Sequence, residues 1–242
     1  MAKSFFTPDW PLPAGVRALI STRLGGVSSA GFSSNNLALH VNDDAQAVRA
    51  NRLQLLQSQP SIHSIQWLNQ VHGNQVVKAI GGTVTLQADA QYTQQPSLAC
   101  AILTADCLPV LFCNQQGTQV AAAHAGWRGL ANGILLNTLA TFARPEDVSV
   151  YLGPAIGFAA FEIGPEVKAA FPWASSNCFR QGQGDRYYAN LYQLAQEQLK
   201  RAGVTKIYGG EFCTYSDSAR FYSYRRESVC GRMASLIWLE PK

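Results

Sequence analysis

The chain reads as an α+β fold: a single domain with mixed β-sheets packed between helices. Three observations point there. Runs with strand character outnumber helical ones, the two kinds do not alternate as a doubly wound parallel sheet requires, and no linker, low-complexity segment or fixed-period repeat divides the 242 residues. At this length an apolar share of 47% suffices to bury a sizeable core.

The elements follow in order. Asn42-Asp43-Asp44 supplies capping side chains for a helix whose Val48, Leu55 and Leu56 roughly keep helical spacing, with Pro60 beyond its end. Short β-like runs come next at 65–70 (IQWLNQ), 75–80 (QVVKAI), 98–104 (LACAILT), 108–113 (LPVLFC) and 119–125 (QVAAAHA). One helix is expected over 129–143 (GLANGILLNTLATFA), stopped by Pro145. Strands are expected at 148–152 (VSVYL) and 204–209 (VTKIYG), and a closing strand at 234–239 (ASLIWL). Leu191, Leu194, Ala195 and Leu199 form an apolar stripe on a helix that Asn190 caps and that ends near Gly203.

Charge and composition narrow the partners. Against 15 acidic residues stand 19 basic ones, a net +4, and the longest consecutive basic run is the pair Arg225-Arg226. Counterion release from nucleic acid needs denser positive charge, so no nucleic-acid partner is expected. The opening MAKSFFTPDWPLP lacks the apolar stretch of a secretory leader. The most apolar segment, Leu98 to Cys113, is interrupted by Thr104, Asp106 and Pro109, so no membrane partner is expected and the protein reads as cytoplasmic. Cys100, Cys107, Cys113, Cys178, Cys213 and Cys230 contain no C-x-x-C pair and read as reduced thiols.

Three residues carry the chemistry. His72 in NQVHG, Cys107 in LTADCLPVLF and His124 in AAAHAGWRG each stand where a strand gives way to a loop, the place where scaffolds present reactive groups. Two imidazoles and one thiolate make a three-donor set with a vacant fourth position, which suits catalytic zinc; a structural site closes with four ligands. Copper is admitted by the same donors. Spacing alone does not unite the three: Cys107 also reads as a small core residue, and each histidine singly as a structural one. Asp106 reads as a turn-holding carboxylate or a ligand-orienting one. Arg220, Arg225, Arg226 and Arg232 suit either bidentate phosphate binding or a solvated face. Arg128 in GWRG is read the same way. His40 and His63 read as structural. No P-loop or G-x-G-x-x-G follows a strand, so no nucleotide-cofactor fold is indicated.

The strings NQVHG, TADCLPVLF, HAGWRG, GPAIG with FEIG behind it, and FYSYRRE followed by GRMASLIWL resemble the YfiH family, and the resemblance runs from STRLGGVS to the C-terminus. Its members have been called laccase-domain or polyphenol oxidase proteins and are now regarded as purine nucleoside phosphorylases with adenosine deaminase activity. The resemblance implies an α+β fold spanning residues 1–242 as one catalytic domain. It also implies a metal held by His72, Cys107 and His124, and phosphate near Arg52 in ANRLQLL. Purine nucleosides and phosphate are then the expected partners, at a zinc site. The sequence departs from the family at Phe158 and Ala159 after GPAIG, and at Asn190-Leu191 before the late helix.

Other activities remain open at this level. Resemblance also allows an editing hydrolase for peptidoglycan precursors that cleaves a muramyl amino-acid linkage. A copper-dependent, laccase-like polyphenol oxidase runs against the four histidines in the chain, too few for several copper centres. A metal-free cysteine hydrolase would use Cys107 as nucleophile and His124 as base. A metal-stabilised binding module is the non-enzymatic reading. The H-x-E and P-C-x-x-C signature of the familiar zinc deaminases is missing.

Overall fold

Strands buried on both faces explain why so many apolar runs in this chain show no alternation. The computed structural model describes residues 4–82 and 84–241. β1 (Phe5–Phe6) and β2 (Val16–Ser21) open the chain. α1 (Ala45–Gln57) starts where the Asp44 carboxylate accepts the Gln46 amide at 2.9 Å, and it turns Val48 and Leu55 inward. Then come β3 (Ser64–Gln66), β4 (Leu68–Asn69), β5 (Val76–Lys78) and β6 (Leu86–Gln87). β7 (Ala90–Thr93), β8 (Leu98–Thr104), β9 (Leu108–Asn114) and β10 (Val120–Ala125) complete the central strands. α2 (Trp127–Ala131), α3 (Ile134–Leu139) and β11 (Val148–Leu152) follow. The remainder is β12 (Glu162–Ile163), α4 (Pro165–Ala169), β13 (Phe179–Gln181), β14 (Tyr187–Ala189), α5 (Leu191–Arg201), β15 (Lys206–Gly209) and β16 (Met233–Leu239).

Two large sheets stack. One has the order β1-β2-β16-β8-β3 and the other β15-β11-β9-β10-β7-β5. Each joins antiparallel neighbours to parallel ones, β3 with β8 in the first, β15 with β11 and β5 with β7 in the second. The fold is therefore α+β with mixed sheets, as expected. A small sheet, β12-β14-β13, and the pair β4-β6 lie beside them.

The period of two along each strand builds the layers. Leu111, Cys113, Val120, Ala122 and Tyr151 of the second sheet meet Ala18, Ile20, Leu98, Cys100, Ile102 and Ile237 of the first. Their neighbours Leu108, Val110, Phe112, Ala121 and Val150 point the other way, onto Leu130, Ile134, Leu194 and Leu199 of α2, α3 and α5. On the far side, Leu19, Ala101, Leu103, Leu236 and Trp238 pack against Leu55 of α1, Leu37 and Ile62. The result is helix, sheet, sheet, helix.

Several expectations differ from the structure. The single helix over 129–143 is two short ones, because Gly133 takes a left-handed φ of 83° and breaks the hydrogen-bond ladder. The run 65–70 is split into β3 and β4. β2 was not expected, since exposed Arg17 interrupts its apolar face, and β12 to β14 are too short and too exposed to show a period. The late helix is as expected: the Asn190 side chain accepts the Gln193 amide at 3.1 Å, and Leu191, Leu194, Ala195 and Leu199 are buried. All six cysteines are free thiols. Among the described residues no helix is long and apolar enough to cross a membrane.

Gly133 separates backbone strain from packing, since a Cβ there would meet nothing within 4 Å. Gly133→Ala is expected to lower the unfolding free energy by about 1–2 kcal/mol, measured in urea. Ile102→Ala, between the sheets, should cost about 2–5 kcal/mol in the same assay.

Candidate metal centre and its cavity

Pairing within the second sheet brings the site together. β10 and β7 run antiparallel with Ala123 opposite Ala90, so the next pair beyond them is His124 and Asp89. The His124 amide donates to the Asp89 carbonyl at 2.7 Å, and His124 Nδ1 lies 2.8 Å from Asp89 Oδ1. An ionised carboxylate only accepts, so Nδ1 carries the proton and Nε2 is left for the site. The same carboxylate accepts the amides of Val71 at 3.2 Å, His72 at 2.9 Å and Gly73 at 2.7 Å. One buried side chain thus orients the ring of His124 and holds the loop that carries His72, whose φ is 60°.

Cys107 arrives from the β8–β9 turn. Asp106 before it has a φ of 89° and is buried, and its carboxylate accepts the Thr214 hydroxyl at 2.6 Å, the Ser223 hydroxyl at 3.0 Å and the Arg225 amide at 2.7 Å. It holds loops together, the turn-holding reading of the sequence. The ligand atoms of His72, Cys107 and His124 all lie within 4.8 Å of one another. Gly126 borders them: a Cβ there would lie 3.0 Å from Cys107 Sγ and 3.3 Å from His72 Cδ2, filling the cradle. Two imidazoles, one thiol and a backbone that leaves room between them fit a tetrahedral metal with one open position.

Charge in the trio is strongly coupled. Burial would push the Cys107 thiol up, but the charge of His124 and hydrogen bonds from His124 and His72 outweigh it and lower it. Burial opposes protonation of His124, yet the charge of Cys107 and the hydrogen bond to Asp89 raise it. Burial likewise opposes ionisation of Asp89, and hydrogen bonds from His124, Gly73 and Val71 reverse that, holding the carboxyl below its ordinary value. Elsewhere burial pushes the thiols of Cys113 and Cys178 up to about 12. Cys213 accepts the Gly157 amide at 3.2 Å and packs against that turn.

A cavity of about 510 Å³ opens over the trio. Its other walls include His40, Gln70, Phe161, Tyr224, Arg225 and Arg232. His40, read as structural from sequence, stands on the rim. Arg128 is exposed and stacks on Trp127 with its Cζ 4.4 Å from the ring centroid. Arg52 donates to the Leu37 carbonyl at 2.8 Å and lies over Trp67, 3.9 Å from the ring centroid, and burial lowers it to about 10. Neither arginine lines this cavity. Arg220 pairs with Asp217, and Arg226 is tied to the carbonyls of Thr214, Tyr215 and Phe221. Sequence reading missed Asp89, because an Asp in QADAQY has no spacing that marks it.

A mixed α+β scaffold with an open His-Cys-His trio on its cavity floor defines a class of candidate metalloproteins. Residues 17–240 match the family described as multi-copper polyphenol oxidoreductase laccase, and the chain belongs to that family, the YfiH family. It is 52% identical over 245 residues to a purine nucleoside phosphorylase of Pseudomonas aeruginosa, covering 98% of this chain and 99% of that one. To the purine nucleoside phosphorylase YfiH of Escherichia coli it is 49% identical over 237 residues, covering 96% and 97%. A crystal structure of a Neisseria meningitidis protein superposes with a TM-score of 0.94 at 48% identity, covering 99% of this chain and 100% of that one. YlmD from Geobacillus stearothermophilus gives 0.92 at 32% identity, covering 100% and 98%.

Asp89→Asn removes an acceptor oxygen from among four donors while keeping the volume. Metal affinity is expected to fall about 10- to 100-fold, read by competition with a chromophoric chelator. An unchanged affinity would show that Asp89 only holds the loop.

Proposed function

We propose that the chain is a cytoplasmic, zinc-dependent purine nucleoside phosphorylase acting on adenosine and inosine, with adenosine deaminase activity at the same site. One catalytic domain over residues 1–242 would carry both. The convergence of His72, Cys107 and His124 within 4.8 Å beneath a nucleoside-sized cavity carries the reading. The activity of the relatives supports it.

The three donors would hold zinc, and bound there it would polarise a substrate oxygen or acidify water. In phosphorolysis a phosphate oxygen bonds to the anomeric carbon of the ribose as the glycosidic bond breaks. The electron pair goes to the purine nitrogen, which takes up a proton. The chain's part is positioning: Phe161 and Tyr224 line the cavity with aromatic surface for the purine, and cationic side chains would hold phosphate. In deamination water adds to the carbon bearing the amine and ammonia leaves. The Asp106 carboxylate accepts three hydrogen bonds that tie loops together, which suits it to holding the Cys107 turn.

Copper fits a thiolate and imidazoles as well. A several-centre copper oxidase does not fit four histidines, of which His72 and His124 belong to one site. The approach of Cys107 to His124, ligand atoms within 4.8 Å, admits one second reading, a metal-free hydrolase with Cys107 as nucleophile and His124 as base.

Metal-analysed protein incubated with adenosine or inosine, with and without phosphate, separates these by product mass. Free base and sugar phosphate are expected only when phosphate is present. Chelation should abolish turnover, zinc should restore it, and Cys107→Ala should lose both metal and activity. Turnover that survives chelation would favour the cysteine hydrolase, and two unchanged nucleosides would remove the phosphorylase reading.

A further inference from the structure

Of the polar side chains that line the cavity, three are buried: Thr104, Asp106 and His124. The Asp106 carboxylate accepts the Thr214 and Ser223 hydroxyls and the Arg225 amide, and His124 is held by Asp89. Thr104 is 3% exposed, and its hydroxyl has no partner among the described residues. Gln91 Oε1, Gln198 Oε1 and Ser235 Oγ also lack partners, but those atoms are sealed inside the protein. Thr104 Oγ1 is not sealed, and its residue lines open volume. A hydroxyl shielded this far gains a hydrogen bond only from what enters the cavity.

Strand alternation fixes where it points. Along β8, Leu98, Cys100 and Ile102 face the second sheet while Ala99, Ala101 and Leu103 face the α1 layer, so Thr104 continues the row toward the second sheet. Along β10, Val120 and Ala122 face the first sheet, and His124 continues that row. Thr104 and His124 therefore look into the same gap between the sheets, at the end where the cavity opens. The backbone there is clamped. Gln70 Nε2 donates to the Leu103 carbonyl and Gln70 Oε1 accepts the Leu103 amide, each at 2.8 Å, and Thr104 itself pairs with Met233 of β16. A branched Cβ on a clamped strand holds the hydroxyl in a set direction before any substrate arrives.

We propose that the Thr104 hydroxyl binds a sugar hydroxyl of the substrate; the assignment rests on the nucleoside reading of the site. Adenosine and inosine differ at the base edge, where one bears an amine donor and the other a carbonyl acceptor, and they share the ribose. A residue that serves both belongs with the shared part, and a group that donates and accepts is matched by another hydroxyl. Depth agrees: Tyr224 is exposed and Phe161 half-buried, which puts aromatic surface for the base toward the mouth, whereas Thr104 lies at the floor. The entering sugar displaces water from Thr104, so a nucleoside that lacks the matching hydroxyl leaves the threonine unpaired.

The test uses zinc-loaded, full-length protein with inosine, adenosine and the 2′-, 3′- and 5′-deoxy forms of inosine. The parent is expected to favour inosine over one deoxy form by about 3- to 10-fold in kcat/KM, the loss of one neutral hydrogen bond. Thr104→Val keeps the shape and removes the hydroxyl; it should lower kcat/KM for inosine and adenosine by that same factor and leave that deoxy form unchanged. Thr104→Ser should restore the preference. Calorimetric titration of the same nucleosides without phosphate repeats the comparison independently of turnover, and thermal melting establishes that each variant is folded. If Thr104→Val does not fold, Thr104→Ala takes its place. A Thr104→Val effect equal on inosine and all three deoxy forms would make the residue merely structural and overturn the inference. So would an effect confined to one base, or a parent that binds inosine and its deoxy forms alike. A parent that binds inosine with this Thr104-dependent preference yet cleaves neither nucleoside would keep the contact and remove the phosphorylase reading; a parent that binds no nucleoside would remove both.

Discussion

Everything at the site depends on one buried carboxylate. Asp89 is fully shielded from solvent and accepts four donors, His124 Nδ1 and the amides of Val71, His72 and Gly73. A buried charge is tolerated only when its lone pairs are met this completely. Because three of the donors are backbone amides of one loop, satisfying the charge and shaping the loop are the same event. His72 can hold its left-handed backbone because the amides on either side of it are anchored. The fourth donor fixes which imidazole nitrogen of His124 faces the cavity.

A second aspartate does the corresponding work on the other wall. Asp106 joins the β8–β9 turn to the segment 214–225, and its own carbonyl accepts the Ile156 amide at 2.9 Å. Cys107 is therefore placed by contacts drawn from three distant stretches of chain. The two aspartates explain how residues that are 35 and 17 positions apart along the chain from Cys107 to His72 and His124 meet within a few ångströms, with strand ends rather than a single motif as their platform. They also explain why the cavity wall is cationic: both carboxylates are consumed by structure, and neither is left to neutralise Arg225 or Arg232.

Legibility in the sequence followed burial. β8, β9, β10, β11 and β16 were readable because both faces are covered, which makes each one an apolar run. β2 was not, since Arg17 reaches solvent from within it. The break between α2 and α3 turned on Gly133 and an apolar pattern that continues across it, so local spacing favoured one helix. At the site, His72, Cys107 and His124 were visible individually as polar residues at strand ends, and as a set only through resemblance. Asp89, His40 and Arg232 depend on register and on loop closure. No spacing along the chain reports those.

The unpaired cations bear on what the cavity can admit. A guanidinium held on one edge beside a histidine suits an anionic group entering the cavity, whether a co-substrate or part of the substrate itself. A phosphate dianion needs such a partner, both to enter a partly enclosed cavity and to be held at an angle from which one oxygen reaches the sugar. A divalent metal on the three donors would carry more charge than the one Cys107 thiolate offsets, leaving the trio positive. With metal bound, trio and wall would both be positive, and an anionic co-substrate would bind more tightly than it does to the metal-free protein. Affinity for phosphate and occupancy of the trio are then linked through charge alone, without any movement of the fold.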